Sequence, residues 1–212
     1  MRVGQNPQKK VQGVAQPERI TVAVLNYIPH VGGFYAQMPQ VLDVCLTSLR
    51  ENTTLPFDLM VFDNGSCPEV VQYLVDERNK GNIQYLMLSE KNLGKGGAWN
   101  VILDGTPGEI ISYADNDIYF KPGWLKDTVE LMETFPNVGM VTARALRMEP
   151  HNSSTLKWAK ETEGATVEEG TFLPWESFKY FNESLGKMEN LEEQYNEGVD
   201  WHVTYKGKEA LA

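Results

Sequence analysis

"RITVAVLNY", residues 19–27, decides the fold. Its β-branched residues and almost unbroken apolar character describe a strand covered on both faces, because a strand with one wet face alternates. Such a strand belongs in a parallel sheet with helices above and below it. The sequence that follows keeps to that plan. "VLDVCLTSLREN" (41–52) sets Val41, Leu42, Cys45, Leu46 and Leu49 at helical spacing. "FDLMVFDNGS" (57–66) is a second buried strand ending in a turn, and "CPEVVQYLVDERNKGN" (67–82) is a helix with Pro68 in its first turn and Gly81 at its stop. "IQYLMLS" (83–89) is a third strand, "NLGKGGAWNVILDG" (92–105) a glycine-rich loop entering a short helix, and "GEIISYA" (108–114) a fourth strand. "PGWLKDTVELMETFP" (122–136) is a helix, and "NVGMVTA" (137–143) reads as a fifth strand. Alternation of this kind predicts an α/β domain with a mostly parallel central sheet flanked by helices.

That domain is expected over residues 19–142. Residues 1–18 are polar and read as a flexible tail. Residues 143–212, rich in Glu, Lys, Asn, Trp and Tyr, lack clear periodicity. The helical-looking "NLEEQYN" (190–196) is the only element predicted there, and the region reads as an acceptor-side or accessory part.

The composition bounds the function. The chain has 212 residues, 42% of them hydrophobic, and a formal net charge of -10. An acidic protein has no bulk electrostatic grip on nucleic acid or anionic lipid, so no nucleic-acid partner is expected. Local metal ions or backbone amides can still bind a phosphorylated ligand. The two cysteines, Cys45 and Cys67, are not in a CxxC pair, and they read as reduced packing residues. No apolar run approaches the roughly 20 residues needed to cross a bilayer, and the N-terminus has no apolar leader-like segment. The expected location is cytoplasmic, with peripheral docking at a membrane left open.

In open parallel sheets, ligands bind beyond the carboxyl ends of the strands. The polar residues of this sequence gather at those ends. Tyr27 follows the first strand, where it either stacks on a base or packs at the rim. Asp63 follows the second, where it either accepts hydrogen bonds from a nucleoside or closes a turn with Asn64, Gly65 and Ser66. "EKNLGKGGAWN" (90–100) follows the third, with glycines that let backbone amides approach a ligand; it fits neither a Walker loop nor GxGxxG. "YADNDIYF" (113–120) follows the fourth. Its Asp115 and Asp117, at i and i+2, suit either a solvated turn or a seat for Mg²⁺ or Mn²⁺, which take oxygen ligands.

Taken in order, "ITVAVLNY", "LTSLRENT", "LMVFDNGS", "NLGKGGAWN" and "YADNDIYFKPGWL" resemble family 2 glycosyltransferases of the GT-A (nucleotide-diphospho-sugar transferase) fold, over residues 20–142. The resemblance implies a nucleotide-diphospho-sugar donor, an acceptor hydroxyl on a glycan, lipid or protein, and transfer with inversion. It implies that Asp63 contacts the nucleobase and that Asn92, Gly94, Ala98 and Asn100 lie beside the donor. It also implies that Asp115 and Asp117 hold the metal and the sugar nucleotide.

The match departs at two places. Leu25 stands where the family's first strand has proline, Ile28 where it has asparagine, and the added stretch "PHVGGFYAQMPQ" (29–40) follows. After residue 142 there is no Glu-Asp pair to deprotonate the acceptor. The nearest substitutes for the base are Glu176 in "FLPWESF" and Asp200 in "VDWH", and the same "VDWH" offers His202 as a third metal ligand. The lack of that pair keeps a second reading open, a GT-A domain that binds a sugar nucleotide or glycan without catalysis. A homodimer is also left open.

Overall fold

A computed structural model describes Gly4 and residues 13–143 and 153–212. It divides into two compact units, residues 1–124 and 125–212. Most of the expected tail lies outside the described residues.

The first unit is the parallel sheet. Strands β1 (Ile20–Asn26), β2 (Asp58–Asp63), β3 (Tyr85–Leu88) and β4 (Ile110–Asp115) are all parallel, in the order β3-β2-β1-β4. Every residue of β1 is buried, as its unbroken apolar run requires of a central strand. The helices are α1 (Met38–Glu51), α2 (Pro68–Asn79) and α3 (Gly94–Gly105). Ala98 and Ile102 of α3 pack on Ala23, Leu25, Met60 and Phe62, which alternate along β1 and β2 and so share one sheet face. Leu42, Cys45, Leu46 and Leu49 form the buried stripe of α1. That helix also fastens the segment leaving β4. Ser48 Oγ accepts from the Phe120 N–H at 3.1 Å, and Asn52 Nδ2 donates to the Phe120 carbonyl at 2.8 Å.

The register sets the site. Asn26 pairs with Asp63, and Leu25 pairs with Asp115. The last residues of three adjacent strands therefore stand in a row at one edge.

Helix α4 (Trp124–Thr134) begins at the division between the units. The second unit then contains α5 (Ser154–Glu161), β5 (Ala165–Gly170), α6 (Trp175–Ser184), α7 (Leu191–Glu197), β6 (Asp200–Tyr205) and β7 (Lys208–Leu211). Its sheet is antiparallel, in the order β5-β6-β7. Lys206 and Gly207, both at positive φ, join β6 to β7 as a two-residue hairpin turn. Phe135, Leu156, Ala159 and Val203 form one core, and Leu173, Phe178 and Leu191 another.

Two sequence expectations are corrected here. Residues 137–143 form no strand; Asn137 adopts the left-handed conformation at φ 58°, which breaks an extended run at its first residue. The region after 142 holds far more than the one helix expected, which is α7. Its strands alternate weakly, with burial patterns such as that of β5, where three of six positions are exposed, so no clear period marked them.

No helix among the described residues is long and apolar enough to cross a membrane.

Candidate functional site

The carboxyl edge of the parallel sheet carries a connected polar cluster. Asp63 is fully buried at the end of β2. Its Oδ1 accepts from the N–H groups of Gly65 and Ser66 at 3.2 and 2.9 Å, and its Oδ2 accepts from Asn26 Nδ2 at 2.7 Å. A carboxylate satisfied in this way shapes the loop into α2. The expected direct contact with a base is not what this placement offers, because the side chain has no exposed surface.

Asn64, also buried, reaches the next loop. Its Oδ1 accepts from the Leu93 N–H at 2.8 Å, and its Nδ2 donates to Asn92 Oδ1 at 3.1 Å. Asn92 Oδ1 also accepts from the Gly94 N–H at 2.7 Å, so this side chain closes the turn into α3. Gly94 sits at φ 71°, a backbone state that glycine adopts without strain. Positions 94 and 96 face open space where a side chain would project, which leaves the start of α3 accessible to a ligand. Ala98 is a correction: it is fully buried in the core under α3 and packs the helix on the sheet. Asn100 is exposed on the same helix, and Tyr27 is half-buried just beyond β1.

The two-aspartate turn leaves β4. The Asp115 side chain is 41% exposed; its Oδ2 lies 2.7 Å from Lys95 Nζ, and its Oδ1 accepts from the Tyr113 hydroxyl at 3.3 Å. Asp117 is exposed, and the residue between them, Asn116, is buried. Burial, and then the Asp115 charge and hydrogen bond, push the Tyr113 phenol well above its usual range. Tyr113 also stacks on Trp99 of α3. Beneath the turn, burial pushes the Cys45 thiol up to about 11, with the Asp117 charge adding to the effect. Cys45 is thus an inert packing residue, as its sequence context suggested.

The donor set suits a hard divalent cation in type: two accessible carboxylates on one turn, to be completed by diphosphate oxygens and water. Among the described residues no group of three or more His, Cys, Asp or Glu side chains is placed to hold a metal without such help. Sequence reasoning gave no site role to Lys95, Asn26 and Asn116, and read Asn64 only as part of the turn after Asp63. A polar residue closing an otherwise apolar central strand, as Asn26 does, was the available signal, since buried polar groups need partners.

Glu176 and His202 belong to the second unit. Glu176 is exposed in the first turn of α6. His202 lies on β6, its Nε2 3.4 Å from Glu209 Oε2 and its ring against Phe172. Asp200, beside it, is buried; its Oδ2 accepts from the N–H groups of Phe172 and Leu173.

Comparison with known proteins gives the same family from independent sources. The family model described as glycosyl transferase family 2 matches residues 34–197. An uncharacterized glycosyltransferase of Nostoc sp., alr2836, is 23% identical over 123 residues, covering 58% of this chain and 35% of its own. The amylovoran biosynthesis glycosyltransferase AmsE of Erwinia amylovora is 24% identical over 121 residues, covering 57% and 46%. This chain therefore spans less than half the length of either curated relative. The solved structure of S. aureus TarS 1-349 aligns with a TM-score of 0.45 at 23% identity, covering 60% of this chain and 39% of that one. With the family model covering most of its length and the parallel sheet carrying the polar strand ends, this chain belongs to glycosyltransferase family 2 and has the α/β GT-A fold.

Proposed function

We propose that this chain transfers a sugar from a nucleoside diphosphate-sugar to an acceptor hydroxyl, with a divalent cation at Asp115 and Asp117 and inversion at the anomeric carbon. Family membership supports sugar transfer. The observation that carries the site is the 115–117 turn. It presents two accessible carboxylates beside Lys95, at the open start of α3.

A bound Mg²⁺ or Mn²⁺ would neutralise charge on the departing diphosphate. The residues of the chain do the rest. Asp115 and Asp117 would hold the cation, and Lys95 would turn from Asp115 to a phosphate oxygen. The amides at the start of α3 approach the diphosphate where no side chain stands in the way. Tyr27 offers a ring to the base, and Asn92 and Asn64 keep the loop below the donor in shape. The acceptor oxygen attacks opposite the diphosphate, giving inversion, and Glu176 takes its proton. His202 would be the candidate for a further metal ligand.

A second reading rests on one specific observation. Lys95 already neutralises Asp115, so this lysine can serve as the positive charge of a metal-independent donor site.

A thermal-shift panel separates the two. Nucleoside diphosphates and sugar nucleotides are each added with Mn²⁺ and with EDTA, since a ligand of the native state raises the Tm by mass action. The metal reading expects a Mn²⁺-dependent rise that Asp115→Ala and Asp117→Ala abolish. A rise that persists in EDTA and vanishes in Lys95→Met supports the second reading. No rise with any nucleotide overturns the donor site. Glu176→Gln and His202→Ala then test the base and the third ligand, by turnover and by Mn²⁺ affinity respectively.

A further inference from the structure

Asn26 is fully buried at the end of the central strand, so its amide must be satisfied inside the protein. Its orientation follows from its neighbours. An ionised Asp63 can only accept, and its Oδ2 lies 2.7 Å from Asn26 Nδ2. The amide nitrogen of Asn26 must therefore face β2, where it also reaches Ser66 Oγ at 3.0 Å. Ser66 Oγ accepts in addition from the Ile28 N–H at 2.9 Å. The carbonyl end of Asn26 is left facing β4. There Asn116 Nδ2 donates to it at 2.6 Å. The parallel register makes the row possible: Asn26 is level with Asp63, and Asn116 follows Asp115, which is level with Leu25.

We propose that Asn26 and Asn116 are positioning residues for the donor site. The directional relay Asn116→Asn26→Asp63 ties the two-aspartate turn to the Asp63–Ser66 loop, so that the two move as one body. Asn116, only 9% exposed, is the inward anchor between the two outward carboxylates. What this body binds rests on the function proposed above; the relay itself does not.

Position 26 must both donate to Asp63 and accept from Asn116. Aspartate would keep the acceptor for Asn116 but set a second carboxylate against Asp63. A hydrophobic residue would leave Asn116 without its acceptor and Asp63 Oδ2 without its donor. Asn116→Ala removes the donor to Asn26 and leaves the rest of the cluster in place.

Two readouts test this on the ligand-free full chain: backbone amide exchange followed by NMR, and titration with Mn²⁺ alone. Asn116→Ala is expected to speed exchange at least tenfold at Gly65 and Ser66, across the sheet from the substitution, as well as at Phe120. A role confined to its own turn would move only Phe120. Mn²⁺ affinity is expected to fall at least tenfold in Asn26→Ala and in Asn116→Ala, and no further in the double variant, because both remove one connection. Ile102→Val, which loosens the core under α3 without touching the relay, is expected to change neither readout. Native exchange at Gly65 and Ser66 in Asn116→Ala overturns the relay. So does additive loss of Mn²⁺ affinity in the double variant. If the native chain binds no Mn²⁺ without a nucleotide, the two carboxylates need the diphosphate oxygens as argued above, and the exchange at Gly65 and Ser66 decides the relay alone. Should Asn26→Ala fail to fold, Asn116→Ala carries both measurements.

Discussion

Each unit of this molecule buries one aspartate where a loop meets a strand, and the two are used differently. Asp63 closes β2, and its oxygens accept from two loop N–H groups and from Asn26, a side chain of the neighbouring strand. Asp200 opens β6, and its Oδ2 gathers the N–H groups of Phe172 and Leu173 at 2.8 and 2.7 Å. Asp200 pins the backbone at a corner beside an aromatic core. Asp63 does that and also passes its directionality on, through Asn26, to the turn that carries Asp115 and Asp117. The comparison teaches that one partner decides the difference: a single side-chain bond to the neighbouring strand joins Asp63 to the polar row at the strand ends.

The largest expected effects come from removing these acids. Asp63→Ala takes the acceptor from the partly buried Gly65 and Ser66 N–H groups and one of two acceptors from the buried Asn26 amide, at about 1 kcal/mol each, so a loss of about 3 kcal/mol is expected. Asp200→Ala deprives two backbone donors and is expected to cost about 2 kcal/mol. Urea denaturation at neutral pH measures both. The comparison sharpens if Asp63→Ala also disturbs the amide of Asn116 while Asp200→Ala changes only its own corner. It breaks if Asp200→Ala proves the costlier of the two.

The same contrast explains what the sequence could tell. The apolar run of β1, the helical spacing in α1 and the alternation that follows made the parallel sheet legible, because strands buried on both faces and amphipathic helices leave strong periods. Asp115 and Asp117 were legible as a pair for the same reason: they stand directly after a strand. The relay was not. Asn26 and Asn116 are 90 positions apart in the chain and meet only because the parallel register aligns strand ends. Ala98 was misread because a motif records which residues recur near a donor, while burial decides which of them can touch it. The second unit was illegible because its antiparallel strands are short and half-exposed, and its cores are built from Trp, Tyr and Phe scattered over distant segments.

A smaller pair of effects comes from two glycines. Gly65 stands at φ 88°, and a Cβ there would lie 3.0 Å from backbone atoms of Lys91 and Asn92. Neither the conformation nor the neighbouring backbone can yield cheaply, so Gly65→Ala is expected to cost about 2 kcal/mol. Gly170 has no such backbone constraint. A Cβ there would meet the Phe172 ring at 3.2 Å, and a ring can shift by a few tenths of an ångström. Gly170→Ala is therefore expected to cost below about 1 kcal/mol by the same denaturation assay. Equal costs would mean that the corner at Phe172 is as rigid as the packing of the Gly65 loop against Lys91 and Asn92.

The smallest effects separate two glutamates whose carboxyl groups both lie below the usual range. Burial pushes Glu77 up. Its hydrogen bonds to Lys80 and Asn82, with the charges of Lys80 and Arg50, outweigh that and hold it low. Glu130 in the second unit is held low chiefly by its hydrogen bond to Lys208, against a smaller opposing effect of burial. A carboxyl whose folded-state value is depressed adds stability above its unfolded value, near pH 4.3, and loses it as the pH falls through the folded value. Glu77→Gln and Glu130→Gln should each flatten the acid limb of a stability profile in that window. Salt tells them apart. At 1 M NaCl the screening length is about 3 Å. The Glu130 side chain is 34% exposed and that of Glu77 is 7% exposed. The Glu130 contribution should vanish in salt while that part of Glu77's due to the 26%-exposed Arg50 and to Asn82 persists, because shielded partners are screened much less than the exposed Lys80. If salt removes both alike, Glu77 behaves as a surface acid, and at this position the first unit has no more use for a buried charge than the second.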